Sequence, residues 1–372
     1  MIIRDEIHGT IKFTDLEEEI IDCREFQRLR RIKQMSVTNL VYPGANHTRF
    51  EHSLGTVHLA SLISQKLGLD NDTAEKVRLY ALLHDIGHSA FSHEGEDVLM
   101  EYIGDHESIG NKLIQNSGIA DTLRQSYNPK EIIKIGKSKY GEIINSDLGA
   151  DRMDYLKRDA LNTGVAYGII DIDRIIHTLV MKNNTICIEK GGLEAAEYLL
   201  IARFMMFSAV YMHKTVRIAT AILHRAIMGA ISDGTLLPEQ FMELGDENAL
   251  LAMLSSKTGG KYASMLRNRK LYKEVFSIPT DQCDSKKSLS LEKELCEQTG
   301  EDIIVDYPNP FFKKIELSIN TENGFEPITR VSKLVQSLEN AEHDRMMVLI
   351  LANEGVATKS KNRIINLLKK SL

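Results

Sequence analysis

Seven prolines and four cysteines in 372 residues, and no long apolar run, are what this sequence is poor in, and each shortage excludes something. Cys23, Cys187, Cys283 and Cys296 stand far apart with no CxxC pair, which removes zinc ribbons and dithiol redox motifs and leaves reduced, structural thiols. No apolar stretch approaches the roughly 20 residues of a membrane helix. The opening MIIRDEIHGT carries charge where a signal peptide has its apolar segment. Together these absences predict a cytoplasmic protein that does not enter a membrane. A basic excess is missing as well: the formal charge of −6 is not that of a protein built to coat nucleic acid, although a local cationic pocket is compatible with it. Any phosphate site is therefore a focused one. The 43% hydrophobic and 26% charged composition suits an ordinary globular core and excludes disorder and disulfide scaffolds. At about 100–200 residues per domain, the length accommodates one large domain or two.

The scarcity of proline matters most between residues 15 and 235, where apolar residues recur at three- and four-residue spacing and predict a mainly helical region. Leu54, Val57, Ala60 and Ile63 belong to one amphipathic segment, and Ala74 to Leu83 leads a second apolar face into HDIGH. Residues 181–192, MKNNTICIEKGG, predict a β-hairpin, because a β-branched run lies between Asn-Asn and Gly-Gly turn signals. Past residue 236 the texture changes. DQCDSKKSLS at 281–290 predicts an exposed loop, and strands are expected in DIIVDYP from Asp302, KKIELSI from Lys313 and RMMVLILA from Arg345. A basic helix at Lys359 to Leu372 closes the chain. The expected organisation is a mainly α protein, with a helical catalytic domain over 1–235 and a small C-terminal α+β lobe over 236–372.

The most informative string is HDIGHSAFSHEGE, His84 to Glu96. Adjacent residues on a helix point about 100° apart, so His84 and Asp85 can share one ion only near a helix end, where Gly87 gives the backbone room. His88 falls four residues after His84. Upstream, TRFEHSLGT places His52 on another helical segment; downstream, SDLGADRMDYLKRDA places Asp151, Asp154, Tyr155, Arg158 and Asp159 on a third. Imidazole with carboxylate suits zinc, iron, manganese, nickel or cobalt better than calcium. The bland reading of each residue stands beside this one: His52 as a core or capping histidine, Asp154 with Arg158 as an intrahelical ion pair. Spacing alone does not choose Asp151 over Asp147 or Asp154 as a ligand.

With these strings in view, the chain resembles the HD-domain phosphohydrolase superfamily, and within it the deoxynucleoside triphosphate triphosphohydrolases related to the SAM-and-HD-domain protein. The resemblance runs in order through DEIHGTIKF, FQRLRRIKQM, VYPGANHTRFEHSLGT, HDIGHSAFSHEGE, DHES, ADRMDYLKRDA and ARFMMFSAVYMHKT, over roughly residues 5 to 220. It implies a multi-helix HD core holding one divalent metal ion (Mn, Fe, Zn, Ni, Co or Mg) on His52, His84, Asp85 and Asp151. It implies a reaction centre of His88, His93, Glu96 and His106, with Glu96 at a position that is often Asp in relatives.

A nucleoside triphosphate has a poor leaving group at its 5′ oxygen and a phosphorus shielded by anionic oxygens. It therefore needs an acid, here His93 as first choice, and cationic support, with His88 holding an α-phosphate oxygen. Arg49, Arg152 and Arg203 align with phosphate-binding positions of the resembled family, although a single Arg is more often a solvated charge or an ion-pair partner. Tyr155 and Tyr211 fall at positions near sugar and base and Gln34 at one that meets the 3′-hydroxyl, with Asp159 and His213 as further expected substrate-binding residues. Met35 replaces a smaller branched residue beside that position, which implies looser exclusion of ribose. Asp22, Gln27 and Arg30 correspond to an activating-nucleotide site in some relatives, although CREFQRLRRIKQM also reads as a solvated amphipathic face. The resemblance further implies a homodimer or homotetramer. Two alternatives share these residues: hydrolysis of another phosphoester, such as a nucleoside monophosphate or cyclic nucleotide, and a nucleotide- or nucleic-acid-binding regulator without turnover.

Overall fold

The helix Arg49–Lys66 begins where Thr48 and Glu51 form a reciprocal cap, each side chain satisfying a backbone N–H of the other's end. Asp70 caps Asn71–Leu83, Asp105 caps His106–Asn116, and Gly164, with φ +75°, ends Ala150–Thr163 in the left-handed region that glycine tolerates. The computed structural model describes residues 1–308, 315–322, 324–343 and 346–371, and over these the protein is mainly α. The 49–66 helix runs through the middle of the first core. Phe50, Leu54, Val57, Leu59, Ala60 and Ile63 are buried there with Leu79, Leu82, Met153, Leu156 and Leu199 of neighbouring helices. Among the described residues no single helix is long and apolar enough to cross a membrane; the bent pair 190–211 and 214–232 passes that test only jointly.

Three small sheets accompany the helices. Ile2–Asp5 and Gly9–Lys12 form an N-terminal hairpin. The hairpin expected in 181–192 spans Leu179–Lys182 and Thr185–Glu189, turned by Asn183 and Asn184, both with positive φ. Its second strand pairs in parallel with Ser318–Thr321, so residues on both sides of position 235 share a four-stranded sheet. The third sheet places Met347–Ala352 between Lys273–Pro279 and Ile303–Asp306. The strands foreseen in DIIVDYP and RMMVLILA are thus present. Arg345, Lys313, Lys314 and Leu372 lie outside the described residues, and the strand sought in KKIELSI begins only at Ser318.

The stretch 281–290 is not a loop throughout: from Ser285 it is the first part of the helix Ser285–Thr299. Asp284 accepts from the Lys287 N–H as its cap, and Ser288, Leu291 and Leu295 supply the buried stripe that a window ending at 290 misses. The terminal helix also starts later than expected, at Lys361, after a break at Ser360.

Two glycines set the approach of the site-bearing elements. A Cβ on Gly55 would lie 1.9 Å from Asp154 Oδ1 and 2.6 Å from Arg158 Nη2; a Cβ on Gly87 would lie 2.0 Å from the His106 carbonyl oxygen. Gly55→Ala is expected to cost about 1–3 kcal/mol through overpacking and to lower bound divalent metal. Denaturant unfolding and metal analysis, against Ser61→Ala on the same helix, check this; unchanged stability and metal content would contradict the close-approach argument.

Candidate metal centre

Three helices deliver the expected ligands to one place. His52 sits in the first turn of the 49–66 helix, His84 caps the C-terminus of the 71–83 helix with Asp85 just beyond it, and Asp151 lies in the first turn of the 150–163 helix. His52 Nε2 is 3.0 Å from Asp151 Oδ1 and 3.6 Å from Asp85 Oδ2. His84 Nε2 is 3.4 Å from Asp85 Oδ1 and 3.8 Å from Asp151 Oδ1. The condition set by the sequence, an adjacent His-Asp pair at a helix end, is met.

The orientation of the two imidazoles fits a cation. His52 Nδ1–H donates to Asp154 Oδ2 at 2.8 Å, and His84 Nδ1–H donates to the Ala81 carbonyl at 2.7 Å. Their other ring nitrogens, both Nε2, are buried without a hydrogen-bond partner and face the carboxylates. Fixing Nδ1 as the donor leaves a lone pair on Nε2, which is how metal-bound histidines are prepared. Two such nitrogens and two carboxylates can hold a divalent cation, and the cluster attracts positive charge: burial pushes the His52 imidazole down, but Asp151 and Asp154 outweigh it and hold it up at about 10. Burial likewise pushes Asp85 and Asp151 up. Arg49, His84 and His88 bring Asp85 well below the usual carboxylate range, and His52 and His84 do the same for Asp151.

Asp154 is more than the partner of Arg158. Its fully buried carboxylate accepts from Arg158 Nε and Nη2, both at 2.9 Å, from His52, and from His8 Nε2 at 2.6 Å. Arg158 Nη1 continues to Asp5 at 3.0 Å. His8 and Asp5 come from the N-terminal hairpin turn and gave no signal of their own in the sequence.

Beside this cluster His88, His93, Glu96 and His106 also meet. Glu96 Oε2 lies 2.9 Å from His106 Nδ1 and 3.2 Å from His93 Nδ1. His88 Nε2 is 3.4 Å from Asp85 Oδ1, which joins the two groups. Burial pushes Glu96 up, but the hydrogen bonds from His106 and His93 hold it well below the carboxylate range. Burial pushes His106 down and Glu96 more than restores it, whereas withdrawal from water leaves His93 below its ordinary value even with Glu96 beside it.

The turn that launches this helix is left-handed at two non-glycine residues, Phe91 (φ +69°) and Ser92 (φ +54°). Asp246, from beyond residue 235, holds it: Oδ1 accepts from the Phe91 N–H at 2.8 Å and Oδ2 from the Lys33 N–H at 2.9 Å. Burial pushes the Asp246 carboxyl up to about 6. Sequence reading missed Asp246 and His47 as it missed His8.

The residues expected to hold substrate fall in several places. Arg152 and Arg203 both pair with Asp147, the latter at 3.4 Å. The Tyr211 hydroxyl donates to Asp159 Oδ2 at 2.7 Å, and His47 Nε2 lies 2.7 Å from Asp159 Oδ1. Burial pushes the Tyr155 hydroxyl up, Arg152 and Arg203 pull it back, and Asp151 and Asp159 add to the rise. Arg49 is buried and bound to Asp85 Oδ2 at 2.5 Å and Ser92 Oγ at 3.0 Å. Gln34 presents a buried Oε1 with no hydrogen-bond partner, while Met35 packs into the helical core. His213 caps the helix Lys214–Ser232 by accepting the Thr215 N–H on Nδ1. Of the regulatory trio, Arg30 donates to Gln27 Oε1 at 2.9 Å and lies 3.5 Å over the Phe50 ring; Asp22 ends the first helix.

Residues 49–159 match the HD domain family and residues 170–370 the HD associated region. The chain belongs to the HD-domain phosphohydrolase superfamily. It is similar to an uncharacterised protein of Methanocaldococcus jannaschii, 39% identical over all of this chain and 83% of that one. It is similar to a Dictyostelium discoideum protein named as a deoxynucleoside triphosphate triphosphohydrolase SAMHD1 homolog, 30% identical over 74% of this chain and 60% of the other. A solved structure described as a phosphohydrolase from Bacteroides thetaiotaomicron superposes with a TM-score of 0.76 at 25% identity, covering 95% of this chain and 99% of that one.

Because Asp154 fixes the His52 tautomer, Asp154→Asn is expected to weaken divalent-metal affinity by about 10–100-fold. Competition titration against a metal chelator measures this, and wild-type affinity in a folded variant would contradict the orienting role.

Proposed function

We propose that the chain hydrolyses (deoxy)nucleoside triphosphates at the α-phosphate, releasing nucleoside and inorganic triphosphate. The observation that carries this reading is the grouping of a His/Asp cluster able to hold a metal, a neighbouring His/Glu cluster joined to it through Asp85, and the Arg152, Arg203, Tyr155 and Tyr211 set beside Asp147 and Asp159. Similarity to the Dictyostelium relative supports the same substrate class. The metal would sit on His52, His84, Asp85 and Asp151, where a divalent cation polarises a phosphoryl oxygen and lowers the pKa of water.

The chain's own residues supply the rest. Arg152 and Arg203, held side by side by Asp147, are placed to neutralise phosphate oxygens, and His88 to hold an α-phosphate oxygen. Tyr155 and Tyr211 offer ring faces and edges to sugar and base, and the vacant Gln34 Oε1 can accept from a sugar hydroxyl. Water forms a bond to the α-phosphorus as the bond to the 5′ oxygen breaks, and that oxygen takes its proton from His93. Glu96 orients His93 through Nδ1 and links it to His106 for reprotonation. Activation by a nucleotide at Asp22, Gln27 and Arg30, and assembly as a homodimer or homotetramer, belong to the same proposal and rest on the resemblance alone.

Incubating the metal-loaded protein with each dNTP and rNTP, with and without GTP, and resolving the products tests the reaction. Inorganic triphosphate plus nucleoside is expected; monophosphate plus pyrophosphate, or no turnover, overturns the reading. The pH profile offers a second check. An acid must be protonated to act, so kcat/KM should fall as pH rises through the depressed His93 pKa, below the usual value of about 6.5. Glu96→Gln removes the carboxylate that holds His93 up, so this limb should move to lower pH. A limb that stays in place or moves upward contradicts the relay.

A further inference from the structure

The relay histidines have a second capacity. His88, His93, Glu96 and His106 each offer a donor atom, and these four atoms lie within 4.8 Å of one another. Glu96 Oε2 is the hub, at 2.9 Å from His106 Nδ1, 3.2 Å from His93 Nδ1 and 4.0 Å from His88 Nδ1. Tetrahedral zinc with bonds of about 2.0–2.1 Å to nitrogen and oxygen needs donors spaced about 3.3 Å apart, so of the three distances from Glu96 the one to His88 calls for a ring movement, and the remaining donors, all within 4.8 Å, close by side-chain adjustment. His88 is fully buried and neither of its ring nitrogens has a hydrogen-bond partner. It stacks on His106 at 4.1 Å and 13°, with His93 edge-on at 4.6 Å. A proton relay through Glu96 needs His93 and His106; it gives no part to the buried His88 Nδ1, which lies on the Glu96 side of the ring while Nε2 faces Asp85.

We propose that His88, His93, Glu96 and His106 form a second divalent-cation site, separate from His52, His84, Asp85 and Asp151, and selective for Zn²⁺-class ions over Mg²⁺ or Ca²⁺. Three imidazoles and one carboxylate suit borderline-soft cations, whereas Mg²⁺ and Ca²⁺ demand oxygen. Asp85 makes two neighbouring cations tolerable, because its Oδ1 stands 3.4 Å from His84 Nε2 of the first cluster and 3.4 Å from His88 Nε2 of the second. The second site carries one carboxylate against two in the first, so it is the weaker. Filling it displaces the protons from His93 Nδ1 and His106 Nδ1 and ties Glu96 to the cation. On the reading given under Proposed function, excess Zn²⁺ therefore stops turnover, because a His93 bound to zinc through Nδ1 is no longer an imidazolium acid at Nε2, while Mn²⁺ or Mg²⁺ at the first site sustains it.

The test is a Zn²⁺ titration of the full chain, stripped of metal, against a chromophoric chelator, with metal analysis of the product and circular dichroism to verify folding. The expected result is two Zn²⁺ per chain in two steps. His106→Ala and the milder Glu96→Gln should each weaken the second step by about tenfold or more while keeping the first, and His52→Ala should do the reverse. A wild-type stoichiometry of one, or two steps that both survive His106→Ala and Glu96→Gln, overturns the proposal. Zinc inhibition of the Mn²⁺-loaded protein should follow the second step. Two bound Zn²⁺ together with no hydrolysis of any nucleotide by the Mn²⁺-loaded protein would sink the triphosphohydrolase reading and leave the site standing; hydrolysis by a chain that binds only one would do the opposite.

Discussion

A buried carboxylate, Asp154, organises the centre of this protein. An ionised carboxylate removed from water is tolerable only when its lone pairs are satisfied, and Asp154 meets that demand with an arginine fork from its own helix, His8 from the N-terminal hairpin turn and His52 from the 49–66 helix. Burial pushes it up, but Arg158, His52 and His8 hold it well below the carboxylate range, so it accepts from each partner. Its demand for donors fixes His52 Nδ1 as N–H and thereby turns the Nε2 lone pair toward Asp85 and Asp151. Gly55 is the steric condition for this contact, since any side chain there would occupy the space of the carboxylate. Three chain segments are tied by the same carboxylate that orients His52.

Outward from that point the charges alternate. Asp85 and Asp151 face the two imidazoles, Arg49 neutralises one side of Asp85, and Arg152 with Arg203 shares Asp147 at the rim. Asp147 also accepts the Glu316 N–H at 2.8 Å, so the arginine pair is anchored to the segment leading into the 318–321 strand. On the proposed reading, a phosphate chain would present charge both to a cation and to these arginines.

Much of this was legible in the sequence where the signal is local. The helical period placed His52 and Asp151 on helices, Leu83 closing an apolar face placed His84 at a helix end, and Asn183-Asn184 marked a turn. Asp154 was misleading for a physical reason: Arg158 four residues on is a complete partner, so nothing in the spacing asks for His8 or Asp5, which lie about 150 positions away. Ligand choice among Asp147, Asp151 and Asp154 is likewise a matter of three dimensions. Asp151 faces the Nε2 side of His52, Asp154 the Nδ1 side, and Asp147 the arginines. The helix from Ser285 was hidden because its first turn is polar and its apolar stripe lies further on.

Asp246 carries the same lesson to the other half of the site. The helix bearing His93 and Glu96 starts from a backbone that non-glycine residues avoid, and such a turn persists only when its surroundings over-determine it. Both oxygens of Asp246 are used for that purpose, one on the turn and one on Lys33, next to Gln34. Ser92 completes the triangle by donating to the Lys33 carbonyl at 2.7 Å while accepting from Arg49, which reaches Asp85. A carboxylate from residues matched to the HD associated region thus holds Arg49, the helix of His93 and Glu96 and the turn at Lys33 and Gln34 in one register. That gives the second half of the chain a direct part in the geometry of chemistry whose side chains come almost wholly from the first half.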